Sequence, residues 1–79
     1  MTRILIADDQ VLFAESLKAV LETAGEDYKI CGLAENGREA VDAVEELKPD
    51  LVLMDVRMPV LDGVAATRIL KSKHPLLKI

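Results

Sequence analysis

The sequence predicts an α/β domain built on a doubly wound parallel sheet, and three observations carry that expectation. Two short apolar runs, Ile4 to Ala7 and Leu51 to Met54, proceed without a polar break and stop at carboxylates, Asp8-Asp9 and Asp55. Such runs read as strands buried on both faces, as in a parallel sheet, and parallel strands need a crossover connection between them. The segments between and after these runs carry apolar residues at helical spacing, giving the order β-α-β-α-β-α. Crossovers of this kind are right-handed in nearly all proteins, which narrows the topology to the doubly wound class.

Taken in order, Arg3 leads into the first strand, Ile4 to Ala7. Gln10 to Ala24 follows as a helix with Phe13, Leu17, Val20, Leu21 and Ala24 on one face, while Glu15, Lys18 and Glu22 lie off it. Gly25 is expected to end this helix, with Glu26-Asp27 as the turn. Tyr28 to Ala34 reads as a second strand, weakened by Gly32. Asn36 is placed to cap the next helix, and Glu39 three residues on gives the start of a capping box. Ala40, Val41, Val44 and Leu47 form its apolar stripe, and Lys48-Pro49 closes it, because a residue before proline is pushed out of helical geometry. After the strand Leu51 to Met54, Pro59 and Asp62-Gly63 mark a loop, with Asp62 as a cap. A third helix, about Val64 to Lys73, turns Ala66, Ile69 and Leu70 inward and stops before Pro75. Leu76 to Ile79 reads as the start of a fourth strand.

Composition bounds the function. A chain of 79 residues makes one small domain, 1–79, with a thin core; folding at this size buries roughly 60–65% of the unfolded surface. Half of it is apolar, with one Phe, one Tyr and no Trp, so aliphatic side chains must supply the packing. The net charge of −4 and the scatter of the basic residues argue against a nucleic-acid-binding surface. Cys31 stands alone in an apolar strand, reads as a small buried hydrophobe, and makes a reducing cytoplasm the natural compartment. No signal peptide and no membrane-spanning run is visible.

If the first and third strands are neighbours, Asp8, Asp9 and Asp55 converge at the C-terminal end of the sheet, where open α/β sheets bind ligands. Three carboxylates within ~5 Å repel by roughly 3 kcal/mol per pair at an effective dielectric near 20. A cluster of this kind either raises one pKa or binds a cation. The ligands are hard oxygens with no His or Cys beside them, so Mg²⁺ is the best match. One carboxylate can then hold the ion while another attacks a phosphorus, since Asp is an established covalent nucleophile. His74, beside Pro75 at a helix end, reads as a surface residue stabilising that terminus rather than a phosphoryl shuttle.

These residues resemble a known family. Ile4 to Gln10, together with Leu53-Met54-Asp55-Val56-Arg57-Met58-Pro59-Val60-Leu61-Asp62-Gly63, is similar to the receiver domain of bacterial two-component response regulators, in register over the whole chain. Asp9-Gln10-Val11-Leu12-Phe13 and Asn36-Gly37-Arg38-Glu39-Ala40 look like the NarL/FixJ subfamily. The resemblance implies a flavodoxin-like fold with strand order 2-1-3. It implies that Asp55 accepts a phosphoryl group from a histidine kinase. Asp9 matches the direct Mg²⁺ ligand and Asp8 the acid that reaches the ion through water. Arg57 stands where a backbone carbonyl completes the metal shell. Met58-Pro59 and Asp62-Gly63 match the loop that shapes the pocket. The subfamily implies a transcription regulator as the parent, reaching DNA only through a C-terminal helix-turn-helix that this chain does not contain.

The sequence also departs from the family. A complete receiver has five strands in the order 2-1-3-4-5, whereas this chain stops as the fourth begins, which reads as a truncation after the third helix. The family's switch Ser/Thr and its lysine at the end of the fifth strand have no counterpart here; Lys71, Lys73 and Lys78 do not end strands. Slower phosphoryl transfer and no conformational readout are the expected consequences. An apolar third strand left at the edge, with the inward faces of the first and third helices short of cover, is expected to drive self-association. Two rival functions follow. One is a phosphohydrolase of the haloacid dehalogenase type, which places its nucleophile in a D-x-D pattern on the first strand; Asp8-Asp9-Gln10 does not fit it. The other is a self-associating interaction module without phosphoryl chemistry.

Overall fold

The computed structural model describes residues 1–24 and 27–79. The expected stop at Gly25 and Glu26 lies outside the described residues. Six elements follow in order: β1 (Thr2–Ala7), α1 (Val11–Ala24), β2 (Tyr28–Ala34), α2 (Gly37–Leu47), β3 (Leu51–Met54) and α3 (Gly63–Lys73). The strands form one parallel sheet in the order β2-β1-β3, as the sequence predicts.

β1 is the central strand, and its side chains alternate between two cores. Ile4 and Ile6 face α1, packing with Ala14 and Ile30, while Leu5 faces α2 and α3, packing with Val41, Val44, Val52 and Leu70. This explains its uninterrupted apolar run: both faces are covered, and Ile4 to Ala7 are all buried. Gly32 does not break β2. It follows a bulge at Cys31, where the register jumps from Ile4↔Ile30 to Leu5↔Gly32. A Cβ on Gly32 would lie 2.7 Å from Leu47 Cδ1, so the glycine makes room for α2. Cys31 is half-buried against that core.

The helix ends follow the sequence closely. Asn36 accepts from the Glu39 amide at 2.8 Å, and the Glu39 carboxylate accepts from the Glu35 amide at 2.9 Å. Asp62 accepts from the Ala65 amide at 2.8 Å. α2 ends at Lys48, which takes the left-handed conformation (φ 50°) before Pro49. Arg3 completes that end by donating to the carbonyls of Leu47 (2.6 Å) and Lys48 (3.0 Å).

Three expectations need correction. The predicted α1 stripe is only partly inward: Ala14 is buried and Leu17 and Leu21 are half-buried, but Phe13, Val20 and Ala24 are exposed. The reason is that α1 packs on β1 and β2, leaving the flank of the sheet beside β3 uncovered. For the same reason β3 is not buried on both faces. Only Val52 is fully covered, and Leu51, Leu53 and Met54 are half-buried. The third correction is that α3 does not lose cover: Ala66 and Leu70 are fully buried, because α3 packs along α2 and Leu77 closes the core beneath it. Past Leu77, Lys78 bridges Leu51 in parallel, and the Val52 amide donates to the Lys78 carbonyl at 2.8 Å.

Candidate metal and phosphoryl site

The C-terminal ends of β1 and β3 set the site. The Asp55 amide donates to the Ala7 carbonyl at 2.9 Å, so β3 stays joined to β1 to its last residue and Asp55 emerges beside Asp8. The Asp8 amide in turn donates to the Ala34 carbonyl at 2.9 Å, tying the same point to β2. One carboxylate oxygen from each of Asp8, Asp9 and Asp55 lies within 4.8 Å of the others. Asp8 and Asp55 are half-buried and Asp9 is exposed. Asp8 also accepts from the Gln10 amide at 2.8 Å, which fixes its orientation ahead of α1.

Among the described residues, none of the three carboxylates has an ion-pair partner; the salt bridges there are Arg38–Asp42 and His74–Glu45. Like charges gathered this closely repel one another, and a bound cation would relieve that repulsion. A set of carboxylate oxygens without nitrogen or sulfur donors fits a hard divalent ion that retains water, Mg²⁺ above all. Arg57 lies two residues past Asp55 with its side chain exposed, on the rim of a groove that also holds Asp9, Met58 and Asp62.

The loop from Asp55 to Gly63 closes the pocket. Met58 is buried against Ala7, Ala34 and Ala40, which pins the loop to β1, β2 and α2. Leu61 donates its amide to the Pro59 carbonyl at 2.7 Å across Val60, whose φ of 69° is left-handed. This is a tight turn of the γ type with a β-branched residue at its centre, an outlier that stores roughly 1–3 kcal/mol of strain. At the far end the Gly63 amide donates to the Val56 carbonyl at 2.9 Å, and a Cβ on Gly63 would lie 1.8 Å from the Asp55 carbonyl oxygen. The motif's Asp62-Gly63 pair marked a turn; that the glycine is a space-maker against Asp55 shows only in three dimensions.

His74 sits at the opposite end of the sheet. Its Nε2 lies 2.9 Å from Glu45 Oε1 and its amide donates to the Leu70 carbonyl, so it joins the C-terminal ends of α2 and α3. The Glu45 carboxyl is held below its ordinary value chiefly by that hydrogen bond, and the Asp42 carboxyl chiefly by its bond from Arg38. Lys71 donates to the carbonyls of Pro75 and Leu77, also away from the acidic pocket. No helix of the described residues is long and apolar enough to cross a membrane.

Comparison with known proteins agrees with this geometry. The sequence profile of the response regulator receiver domain matches residues 4–79. The chain is 45% identical over 74 residues to the transcriptional regulatory protein YdfI of Bacillus subtilis, covering 94% of this chain and 34% of that protein. It is 43% identical over 77 residues to the chemotaxis protein CheY of Thermotoga maritima, covering 98% of this chain and 62% of that protein. The response regulator domain of T. maritima CheB superposes with a TM-score of 0.89 at 37% identity, over 95% of this chain and 55% of that one. The T. maritima regulator TrrA, solved in complex with Mg²⁺ and BeF, superposes with a TM-score of 0.85 at 36% identity, over 95% of this chain and 63% of that one. The chain spans about a third of the length of the transcriptional regulators it matches. Methylesterases stand among the relatives too, with 21% of one such protein covered, so the matches mark a family and not one branch of it.

Proposed function

The chain belongs to the family of response regulator receiver domains, and from that membership we propose that it is the N-terminal part of a phosphoacceptor module, with Asp55 as the acceptor. The observation that carries this reading is the placement of Asp55 at the end of β3, within 4.8 Å of the carboxylates of Asp8 and Asp9. An oxygen of Asp55 attacks the phosphorus of a phosphohistidine on a partner kinase. The P–N bond breaks, and the leaving imidazole takes up a proton. Asp9 and Asp8, with the backbone carbonyl of Arg57, would hold Mg²⁺, which when bound neutralises charge on the phosphoryl oxygens. Asp8 is oriented for this by its bond from Gln10, and Met58 anchors the loop that carries Arg57. The similarity to YdfI favours a transcription regulator as the parent protein, with this chain in its signal-receiving part and DNA contacts made elsewhere. The cytoplasm, where sensor kinases present their phosphohistidine, is the compartment this reading requires.

Labelling with a small phosphodonor in the presence of Mg²⁺, followed by intact-mass measurement, tests the proposal. One phosphoryl adduct is expected on the wild-type chain and none on Asp55→Asn. An adduct retained by D55N, or none on either protein with Mg²⁺ bound, would overturn it.

A second reading is favoured by a specific observation. Phe13 (53% exposed) and Val20 (62%) are exposed on α1, and Phe13 borders a groove shared with Leu53 of the edge strand β3. Exposed apolar surface beside a strand whose outer side is paired only near Leu51 and Val52 is a template for association. In this reading the chain works as a self-associating module, and sedimentation across a concentration series detects it.

A further inference from the structure

We propose that the first turn of α2 is a positioning element for the acidic pocket, and that Gly37 is its key residue. The inference rests on the phosphoacceptor reading and extends it to a segment of the chain that contributes no ligand. The Asn36-Gly37 pair looks in sequence like an ordinary helix start. In the fold, the Gly37 amide donates to the Leu61 carbonyl at 2.8 Å, so one of the orphan donors of the helix N-terminus is satisfied by the loop that follows Asp55. A Cβ on Gly37 would lie 2.0 Å from the Leu61 carbonyl oxygen, 2.8 Å from its carbon and 3.0 Å from its Cβ. Among the described residues no glycine has a positive φ, so Gly37 is required for space and not for backbone conformation.

The loop has little freedom to yield. Leu61 is half-buried against the main core, and its amide is held by Pro59 across the left-handed Val60. Asp62, the next residue, caps α3, and Gly63 is wedged on the Asp55 carbonyl. The same turn of α2 grips the loop a second time, through Ala40 against Met58. Between these two grips lie Pro59 and Val60; before them run Asp55, Val56 and Arg57. A methyl group at position 37 must therefore push Leu61 outward, and the displacement is passed along a short, tied segment toward the pocket.

The test is Gly37→Ala, read by ¹⁵N amide NMR without and with MgCl₂. Ordinary helix energetics predict a benign or stabilising change, since alanine is the better helix former. The proposal predicts a folded protein with dispersed peaks, in which the amides of 56–58 and 60–63 shift before any metal is added. It further predicts a Mg²⁺ dissociation constant raised about tenfold or more, the scale on which supporting residues act on metal sites. Glu46→Gly is the control: it loosens the exposed face of α2 away from the loop, and lowers the melting temperature with 56–63 and Mg²⁺ affinity unchanged. Shifts in G37A confined to α2 would overturn the proposal, as would a G37A affinity equal to wild type. If wild type itself shows no Mg²⁺ response, the metal reading fails, while the metal-free shifts at 56–63 still decide whether Gly37 positions the loop.

Discussion

Asp55→Asn should make the protein more stable, and the size of the gain follows from the pocket. The substitution keeps the shape of the side chain and removes one of three like charges. With oxygens within 4.8 Å, a pair of unit charges repels by roughly 3.5 kcal/mol at an effective dielectric of ~20, and by about 0.9 kcal/mol in bulk water. Asp9 is exposed and the other two are half-buried, so each pair lies between these limits and toward the lower one. Unfolding separates the charges, so most of this repulsion weighs on the folded state alone. D55N deletes two of the three pairs, which amounts to a stabilisation on the order of 1–3 kcal/mol. For a domain of this size each 1 kcal/mol moves the melting temperature by about 4–8 °C. Circular dichroism melts at low ionic strength with EDTA should therefore show D55N melting roughly 5–15 °C above wild type. In about 1 M salt, where the screening length is near 3 Å, the gap should shrink. Added MgCl₂ should raise wild type more than D55N, because an ion that binds only the folded state stabilises it by mass action. A D55N protein melting at or below wild type in EDTA and low salt would refute the reasoning, and so would a gain that salt leaves untouched.

Three further outcomes follow from named contacts. Val60→Gly removes the strain of a β-branched residue at φ 69° but frees the unfolded chain, for a net gain of about 1 kcal/mol by chemical denaturation. Asn36→Ala removes the cap on the Glu39 amide and should lower stability by about 1 kcal/mol, seen as a lower urea midpoint with an unchanged slope. His74→Ala tests the joint between α2 and α3. The bond from His74 holds the Glu45 carboxyl below its ordinary value of 4.5, so its contribution is complete above the unfolded carboxyl's pKa and is lost as pH falls through the lower folded value. Melts of H74A should lie slightly below wild type at mildly acid pH above the carboxylate range, and converge with it once Glu45 is protonated.

How much of this was written in the sequence depends on the range of the interaction. The strands, the caps at Asn36 and Asp62 and the convergence of Asp8, Asp9 and Asp55 are set by local patterning plus one topological rule, and all are found where that patterning puts them. The stripe on α1 failed because periodicity says which residues share a helix face, not how much sheet lies beneath that face. Phe13 and Leu17 share the face, yet only Leu17 lies close enough to β1 and β2 to be half-buried. Gly37 and Gly63 were hidden for another reason. Each answers to a carbonyl more than five residues away, and nothing in the local sequence marks a glycine needed for a distant oxygen. Arg3 is a similar case: it closes the end of α2 from a strand that precedes that helix by a whole α/β unit.

The uncovered flank of the sheet sets the last expectation, and it separates the two readings of function. Phe13, Leu17 and Leu53 border a groove that runs to Asp8 and Asp55. Burying the exposed half of the Phe13 ring, roughly 100 Å² of a large aromatic surface, contributes about 2 kcal/mol to an interface. Each 1.4 kcal/mol is a factor of ten in affinity, so Phe13→Ser should weaken association over this flank by at least about tenfold, with the core clusters left intact. Sedimentation equilibrium over a concentration series measures this directly. A wild-type chain that remains monomeric throughout removes the association reading, and an F13S protein that associates like wild type moves the contact to another surface. Because the groove opens onto Asp55, copies that meet over it also block the approach of a phosphodonor. Association and phosphoryl transfer then compete for the same face, and the yield of labelled protein should fall as concentration rises in wild type but stay level in F13S.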